Sequence, residues 1–517
     1  MAWYEEAIFY HIYPLGLLGA PKRNTYKLSD HRLNDLYPWI DHIAATGFNA
    51  LYIGPLFESV GHGYETSDYY RLDSRLGDNE DLKRFVSYCH EKGIRVIFDA
   101  VFNHTGRDFF AFQDIKANRE NSPYLYWYVN VDLNGNNNHN DGFSYEAWGG
   151  YDILPKLNLY NDEVKNYLYD VVRFWVNEFD IDGLRLDAAD VLNFDFLKGL
   201  RNLSNEVKED FWLMGEVLHG EYSRWVNDEM LHSVTSYGLY KGFYSGHNDH
   251  NYFEIAHSVN RLLQNNLKYL YNFLDNHDVE RISSILKNKA DYFPVNVLLF
   301  TLPGIPSIYY GSEFGIEGKK QRYSDASLRP ALDLNEFKDQ ENECYKLIKA
   351  LCKIRNQEKA LSYGDYRELS LTTTQYAFAR GDVIIAVNNS DDEAYFDLMM
   401  GVDYKGCLSG KKVQTADGHL RFSIPGHSGE IWVPEGADRT DYEPVRIIIQ
   451  QEKKEKDDFR PQKASPDKPY EEMSIEELQA EILSKMAANG PLNDRMINDV
   501  RENVYRDSLL NWVRSFR

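Results

Sequence analysis

Short runs of β-branched and aromatic residues recur along the chain, and most are followed by a segment whose apolar residues have helical spacing. Strands that alternate with helices predict parallel β/α units. The predicted strands lie in residues 8–16, 50–57, 94–103, 181–189, 212–217, 269–277 and 304–311, with a further strand near 233–238. Eight such units over roughly 350 residues favour a closed (β/α)8 barrel. An open doubly wound sheet is the alternative, but the sequence lacks the GxGxxG or P-loop motif that such a sheet often carries.

Two changes of pattern predict further domains. The segment between Asn103 and Asp180 is too long for one helix and its loops, so we expect a small inserted domain. After residue 360 the pattern changes to short strands, which predicts an all-β domain. The expected fold is α/β: a (β/α)8 TIM barrel with an inserted domain, a C-terminal antiparallel β-sandwich and a helical tail. The predicted bounds are 1–104 and 161–360 for the barrel, 105–160 for the inserted domain, 361–437 for the β-domain, 438–470 for a charged linker and 471–517 for a helical hairpin whose second helix starts at Pro491.

Composition and charge narrow the class of partner. The chain has 517 residues and a formal net charge of −23, which would repel nucleic-acid phosphates and anionic membranes, so we expect neither as a partner. The early apolar stretch IFYHIYPLGLLGA follows Glu5 and Glu6, where a secretory signal would carry Lys or Arg, and we interpret it as a strand and turn. The four cysteines have no CxxC spacing. Together these features predict a cytoplasmic protein.

Polar residues follow four of the predicted strands. In a (β/α)8 barrel the carboxyl ends of all strands open on one face, where the loops build the active site. A single carboxylate after a strand is more often a helix N-cap or a loop residue, but four strands that share the pattern argue against that alternative. The residues are Asp99, Asn103 and His104 on the third strand, Arg185 and Asp187 on the fourth, Glu216 on the fifth, and Asn276, His277 and Asp278 on the seventh.

Three of these carboxylates, without a thiol nucleophile or a Ser-His pair, fit glycoside cleavage. A retaining glycosidase needs one ionised carboxylate as nucleophile and one protonated acid. Arg185, two residues before Asp187, should hold Asp187 in its charged form. Glu216 follows apolar residues in WLMGEV, surroundings that favour the neutral acid. His104 and His277 would then donate hydrogen bonds to sugar hydroxyls.

These stretches resemble the motifs of a known enzyme family. DAVFNH (99–104), GLRLDAADV (183–191), GEV (215–217) and FLDNHD (273–278) are similar, in order, to the four motifs of glycoside hydrolase family 13, the α-amylase family. The resemblance covers roughly residues 4–435. It implies that the inserted domain is the family's domain B and that the β-domain is its domain C.

The resemblance also implies a role for each residue of the site. Asp187 would be the nucleophile, Glu216 the general acid/base and Asp278 the carboxylate that stabilises the oxocarbenium-like transition state. The residues expected to bind or support the substrate are Tyr64, Asp99, His104, Arg185 and His277. Tyr64 belongs to GHGYETSDYY (61–70), which is similar to the family's second-strand loop, where Tyr64 would stack on a sugar and Asp68 would brace the loop.

A short stretch near the end of the insertion suggests the branch of the family. ILPKLN (153–158) is similar to the MPKLN signature of neopullulanases and cyclomaltodextrinases, with Leu154 in place of Met. The resemblance implies a retaining α-glucan hydrolase that cleaves α-1,4 and, as in many of these relatives, α-1,6 bonds of short maltooligosaccharides or cyclodextrins. A transglycosylase on the same scaffold is the nearest alternative, and a non-catalytic glucan-binding protein a more distant one.

Oligomeric state stays open at this stage. Typical members of that branch carry an N-terminal β-domain used in dimerisation, whereas here the barrel pattern begins within ten residues of Met1. Their mode of dimerisation is therefore in doubt. An oligomer formed through the C-terminal tail is the remaining hypothesis.

No cofactor is expected to be required, and the residues point both ways on Ca2+. Calcium-dependent α-amylases have a His four residues after the nucleophile, where this chain has Val191, although Asn103 matches one of their calcium ligands. The stretch 132–143 superficially resembles a calcium loop, but Asn137 replaces the required Gly and Phe143 the bidentate Glu. We interpret this stretch as a polar turn and leave calcium binding open.

Overall fold

The computed structural model describes residues 2–28, 30–321, 324–338, 342–436, 442–445, 447, 449, 470, 473, 475–488, 500 and 506–515. Its largest sheet contains eight parallel strands, here numbered along the chain: β1 (Phe9–Ile12), β2 (Ala50–Ile53), β5 (Arg95–Ala100), β6 (Gly183–Leu186), β7 (Trp212–Gly215), β8 (Ser233–Val234), β9 (Tyr271–Phe273) and β10 (Ile305–Tyr309). A hairpin of β3 (Phe57–Ser59) and β4 (Thr66–Leu72) lies between β2 and β5. The order in the sheet is β8-β7-β6-β5-β2-β1-β10-β9.

This sheet closes on itself, which confirms the predicted barrel. Thr235, directly after β8, pairs in parallel with Tyr271 of β9, and the Ser236 amide donates to the Tyr271 carbonyl at 2.9 Å. Side chains fill the interior: Phe9 and Trp212 stack with their ring centroids 5.1 Å apart. Because all eight strands are parallel, their carboxyl ends lie on one face.

Helices alternate with these strands along the chain. They are α1 (Pro14–Leu17), α2 (Tyr37–Thr46), α3 (Asn79–Glu91), α4 (Phe110–Asn118), α5 (Asp162–Phe179), α6 (Phe194–Val207), α7 (Tyr237–Asn248), α8 (Tyr252–Gln264), α9 (Ile282–Ile285), α10 (Tyr292–Thr301), α11 (Asn335–Lys338), α12 (Glu343–Gln357) and α13 (Ala360–Tyr363). In α5, Asn161 caps the N-terminus by accepting from the Glu163 amide, and Asp180 ends the helix in a left-handed conformation (φ 56°). The apolar side of α5, which includes Trp175, is buried.

The segment between β5 and α5 forms the inserted domain. Its core includes Phe112, Tyr128 and Phe143, all buried. The rings of Phe112 and Tyr128 meet edge to face, with centroids 5.4 Å apart. The last part of the insertion returns to the barrel, where the Leu157 amide donates to the Asn103 carbonyl at 3.0 Å. The insertion is thereby attached to the carboxyl end of β5.

Two antiparallel sheets form the β-domain after α13, as predicted. The strands are β11 (Tyr366–Leu371), β12 (Gln375–Arg380), β13 (Val383–Asn388), β14 (Ala394–Met399), β15 (Tyr404–Gly406), β16 (Lys412–Val413), β17 (Thr415–Ala416), β18 (His419–Ile424) and β19 (Ser428–Pro434), in the orders β11-β12-β13-β19-β15-β16 and β14-β18-β17. Phe422 of one sheet meets Trp432 of the other, with ring centroids 4.8 Å apart. Arg380 connects this domain to the barrel by donating to the Thr301 carbonyl at 2.8 Å.

A second compact unit comprises residues 321–323 and 452–517. Its described helices are α14 (Ile475–Ala488) and α15 (Arg506–Ser515). They share a core that contains the buried residues Leu478, Ile482, Leu509 and Val513. The predicted start of the second helix, Pro491, and most of the predicted linker lie outside the described residues. Within the part of the chain that the structure describes, no helix has the length and apolar character needed to cross a membrane.

His427 makes the contact between barrel and β-domain sensitive to pH. Its ring lies 2.8 Å from Asp291 of the barrel and 2.9 Å from Asp391 of its own domain. The hydrogen bond with Asp291 raises the pKa of His427, and the bond with Asp391 adds to this against the opposing effect of burial. A raised folded-state pKa gives stability that is fully present below the ordinary histidine value of about 6.5 and is lost as pH rises through the folded-state value.

We therefore expect His427→Gln to lower the melting temperature most at acidic pH. The difference from the wild type should shrink toward alkaline pH, because the neutral imidazole no longer attracts the two carboxylates. Calorimetry of both proteins at a series of pH values, from acidic to alkaline, measures this difference in melting temperature directly. A difference that grows with pH would contradict the assignment.

Candidate active site

The carboxyl ends of the barrel strands surround a cavity of about 620 Å³. Asp187 follows β6, Glu216 follows β7 and Asp278 lies in the loop after β9, and all three line this cavity. The fold thus brings together carboxylates that are far apart in the sequence, since parallel strands end on one face. The other predicted site residues are Tyr64 and His104, which also line the cavity, and Asp99, Arg185 and His277, which are buried beside it.

Arg185 connects three carboxylates. Its Nη1 donates to Asp99 and to Asp187, both at 2.9 Å, and its Nη2 lies 2.8 Å from Glu216. The Arg185 side chain is only 3% exposed. Because a guanidinium is planar and its donors have fixed directions, Arg185 sets Asp187 and Glu216 side by side.

Asp99 ties this guanidinium to the aromatic wall of the cavity. Its Oδ2 accepts from the Tyr52 hydroxyl at 2.8 Å and from the Tyr64 hydroxyl at 3.0 Å. The Tyr64 hydroxyl also contacts Nε2 of His277, and the two rings stack with centroids 5.6 Å apart. Tyr64 is therefore fixed from two sides. Asp68, from the same hairpin, accepts from the Tyr70 amide at 2.8 Å and is not part of the cavity lining.

Glu216 has polar neighbours despite the apolar strand before it. Its Oε2 accepts from the Ala188 amide at 3.1 Å, in addition to its contact with Arg185, and its Oε1 accepts from the Tyr237 hydroxyl at 3.3 Å. The expectation of an apolar environment is therefore wrong. Side chains of WLMG lie in the core, whereas the carboxylate reaches past the strand end to three donors.

The carboxylate of Asp278 contacts the Arg329 guanidinium and the His277 ring. Its Oδ1 accepts from Nη2 of Arg329 at 2.7 Å, and its Oδ2 lies 3.1 Å from Nε2 of His277. Partial burial raises the pKa of Asp278, but His277 and Arg329 outweigh it and hold the pKa well below its usual range. Asp278 is therefore ionised at neutral pH.

Asp187 does not have the low pKa that the neighbouring Arg185 predicts. Burial raises the pKa of Asp187 well above its usual range, Arg185 lowers it, and the charges of Glu216, Asp99 and Asp278 raise it further. Arg185 divides its donors among three carboxylates, so it does not fully compensate any one of them. In the free protein Asp187 binds a proton more readily than an ordinary carboxyl group does.

His104 and Trp148 form the side of the cavity next to the inserted domain, with ring centroids 5.8 Å apart. Burial lowers the pKa of His104 to about 4, so the ring is neutral at neutral pH. Its Nδ1 lies 3.2 Å from the Asn103 side-chain amide. Its Nε2 is buried without a hydrogen-bond partner among the described residues. His104 therefore presents a neutral ring to the cavity that it lines.

Several residues of the site were not predicted from the sequence. Arg329, which also donates to the His277 carbonyl at 2.9 Å, comes from the long loop after β10, and Tyr237 comes from the start of α7. Neither belongs to a recognisable motif. Trp148 stands five residues before ILPKLN, and this closeness to a motif is the sequence feature that could have indicated its place in the site.

The residues considered for calcium contact other parts of the protein, and calcium binding itself stays a prediction. The nitrogen of the Asn103 side-chain amide faces the neighbouring histidine ring, and the side chain of Val191 carries no ligand atom. In the Asn-rich turn, the Asn137 amide donates to Asp141 at 2.8 Å, and Asp141 is already paired with Arg107 at 2.7 Å. The carboxylate oxygens of Asp141 are therefore engaged by Asn137 and Arg107.

Among the described residues, one group has metal-ligand spacing: His31, Asp78 and Asp81. A helix cap accounts for it, because Asp78 accepts from the Asp81 amide and Asp81 from the Asp78 amide, both at 3.0 Å. Arg84 also pairs with Asp81 at 2.6 Å.

Comparison with known proteins places this site in context. The family model "Alpha amylase, catalytic domain" matches residues 32–339. A cyclomaltodextrinase from Bacillus sp is 30% identical over 445 residues, which cover 79% of this chain and 75% of that protein. Neopullulanase 2 from Thermoactinomyces vulgaris is 30% identical over 463 residues, covering 83% of this chain and 78% of that protein.

Solved structures with a similar fold include a cyclomaltodextrinase. A cyclomaltodextrinase structure superimposes with a TM-score of 0.74 at 26% identity and covers 83% of this chain and 78% of that chain. The crystal structure of a Thermus thermophilus protein, Ttha1563, gives a TM-score of 0.73 at 27% identity and covers 84% of this chain and 100% of that chain.

Proposed function

The chain belongs to the α-amylase family of glycoside hydrolases, and we propose that it is a retaining α-glucan hydrolase that works by double displacement on short maltooligosaccharides or cyclodextrins. One observation carries the proposal. A single buried guanidinium, Arg185, holds Asp187 and Glu216 side by side at a cavity that Asp278 also lines. A nucleophile and an acid/base on neighbouring carboxylates are what a retaining glycosidase requires.

In the first step, a carboxylate oxygen of Asp187 attacks the anomeric carbon while Glu216 transfers its proton to the glycosidic oxygen. The bond between that carbon and that oxygen breaks, the leaving glucan departs as an alcohol, and the sugar stays as a β-linked ester on Asp187. In the second step, Glu216 takes a proton from water, the water oxygen attacks the same carbon, and the ester bond breaks. Two inversions give an α product.

This scheme requires Asp187 to be ionised and Glu216 to be protonated when the glycosidic bond breaks. In the free protein the pKa of Asp187 is raised by burial and by its acidic neighbours, whereas attack requires the ionised form. The two carboxyl groups share Arg185 through contacts of 2.9 and 2.8 Å. Catalysis therefore uses the state in which the proton lies on Glu216, next to the glycosidic oxygen that receives it.

The remaining residues would hold the sugar and the two reacting groups. We assign His104, through its unpartnered Nε2, and the ionised Asp278 to hydroxyl groups of the sugar being cleaved. Tyr64 would supply a stacking face. Asp99 and His277 would position Arg185 and Tyr64 through the contacts described above.

The substrate assignment rests on the relatives. Proteins named cyclomaltodextrinase and neopullulanase match most of this chain at 30% identity, which favours α-1,4 bonds of short or cyclic maltodextrins, with α-1,6 bonds to be tested beside them. A cytoplasmic location is part of the proposal, because another relative is named intracellular maltogenic amylase. Oligomerisation through the tail stays a prediction.

Product analysis tests the function. We expect maltotriose and β-cyclodextrin to be cleaved faster than starch, and the reducing end first formed from maltotriose to be the α anomer in NMR spectra recorded before mutarotation. Asp187→Asn should lower kcat at least about a thousandfold, because the nucleophile is lost. Asp195→Asn, at an exposed aspartate of α6, is the matched control. A β anomer, or undiminished hydrolysis by Asp187→Asn, would refute the mechanism.

The pH profile tests the shared charge cluster. A raised pKa keeps Asp187 protonated to a higher pH, so the acid limb of kcat/KM should lie above the ordinary carboxyl range. Asp99→Asn removes one of the charges that raise this pKa, and the acid limb should move to lower pH even if the rate falls. Asp162→Asn, at an exposed aspartate of α5, should leave the limb in place. If the acid limb of Asp99→Asn moved to higher pH instead, the result would contradict the view that the charge of Asp99 raises the pKa of Asp187.

A further inference from the structure

A second cavity, of about 520 Å³, lies beside the barrel and away from the catalytic residues. Its walls come from the end of α2, one face of α12, Cys407 and three residues of 442–445. Asn356 connects two of these walls, because its side-chain amide donates to the Gly47 carbonyl at 2.7 Å. Gly47 precedes β2, so this cavity lies near the amino ends of the strands, whereas the catalytic cavity opens at their carboxyl ends. No described residue lines both cavities.

Three lysines of α12 line this cavity, and we call Lys346, Lys349 and Lys353 the lysine row. They are spaced three and four residues apart, so they share one face of the helix. The helical rise between the outer two places their backbones about 10 Å apart. Among the described residues of the lining, Glu443 is the one carboxylate. The lining is therefore cationic, in a chain whose formal net charge is −23.

Charge pairs along the helix do not account for the lysine row. Lys346 pairs with Glu343 at 2.9 Å. In contrast, no carboxylate of the described residues lies within 4.0 Å of the ammonium group of Lys349 or Lys353. The positions three and four residues before and after these two lysines carry no Asp or Glu. They do carry lysine, and like charges one turn apart are unfavourable in a helix. An anion bound along the row would relieve this repulsion.

The helix dipole does not account for the lysine row either. Helix α12 begins at Glu343, so Lys346 and Lys349 lie in its first two turns, near the end where the macrodipole favours anionic side chains. Cations are favoured in the last turn, which here contains Arg355. Position in the helix therefore gives no reason for lysine at these two places.

Apolar side chains form part of the same lining. Ile354 and Tyr442 are buried, and Ala350 is partly exposed. The Tyr442 ring is held in place because its hydroxyl donates to Oε1 of Glu358 at 2.8 Å. The ammonium nitrogen of Lys353 lies 6.0 Å from the centroid of this ring. A ligand in this cavity would therefore meet ammonium groups and apolar surface together.

We propose that this cavity binds an oligophosphate, such as a nucleoside triphosphate, with its phosphate groups along the lysine row. Charge complementarity identifies the class of ligand, because lysine ammonium groups bind phosphate as point charges. A row about 10 Å long is longer than a single phosphate group can span. The apolar surface around Tyr442 can receive the base of a nucleotide, and the volume of the cavity lies within the usual range for small-molecule sites. This inference does not rest on the proposed function.

Isothermal titration calorimetry of the full chain with ATP, tripolyphosphate and adenosine, at low salt and without divalent cations, tests the proposal. We expect one molecule of ATP or of tripolyphosphate to bind per chain and adenosine not to bind. The Kd should rise with added NaCl, because salt screens the attraction between the lysine row and the phosphates. Tighter binding of ATP than of tripolyphosphate would assign the site to nucleotides, and equal binding would assign it to inorganic oligophosphates.

Variants of the lysine row locate the binding. Replacing Lys349 and Lys353 together by Gln, which keeps the helix propensity, should raise the Kd about tenfold, because two ion pairs with the ligand are lost. Replacing both by Arg keeps the charges and should keep the wild-type Kd. Lys241→Gln is the matched control, since Lys241 lies on α7 outside this cavity and its side chain is 68% exposed. Circular dichroism checks that each variant is folded.

Three results would overturn the proposal. The first is the absence of saturable binding of ATP and of tripolyphosphate to the wild type. The second is a Kd that the double Gln variant leaves unchanged. The third is an equal rise of the Kd in Lys241→Gln, which would show general attraction to surface lysines. Because these titrations measure binding alone, their outcome is independent of whether maltotriose is cleaved.

Discussion

The site depends on one buried positive charge shared among three carboxylates. Arg185 contacts Asp99, Asp187 and Glu216 within 2.9 Å. Removing Arg185 would leave these buried carboxylates without their shared cation, and breaking a buried ion pair in this way costs roughly 3–5 kcal/mol. The same sharing explains why burial and acidic neighbours prevail at Asp187 although a guanidinium touches it. Arg185 therefore fixes the geometry of the reacting pair and opposes, without cancelling, the effects that raise the pKa of Asp187.

The fold supplies the positions that this cluster needs. Parallel strands β5, β6 and β7 are adjacent in the barrel, so Asp99, Arg185 and Glu216 arrive side by side from three strand ends. The β3–β4 hairpin adds Tyr64, and the inserted domain adds Trp148 next to His104. The barrel provides a rigid frame and the loops provide the ligand contacts, which is the usual division of labour in this fold.

Sequence patterns predicted the barrel, the inserted domain, the β-sandwich and the family, because strand periodicity and four short motifs are local signals. They did not reveal Arg329 or Tyr237, since these residues enter from loops without a motif and their contacts depend on tertiary structure. The expected environments of Asp187 and Glu216 were wrong for a related reason. Sequence neighbours set each expectation, whereas the contacts of each carboxyl group come largely from other strands and loops. The tail was predicted as helical, and its described helices pack on one another.

Trapping the covalent intermediate tests the central claim most directly. Glu216→Gln treated with α-maltosyl fluoride should accumulate a maltosyl ester, because fluoride leaves without an acid but the second step lacks its base. The account predicts that peptide mass spectrometry finds this adduct on Asp187 and that the double variant with Asp187→Asn shows none. An adduct on another residue, or none in Glu216→Gln while the fluoride is still consumed, would contradict it.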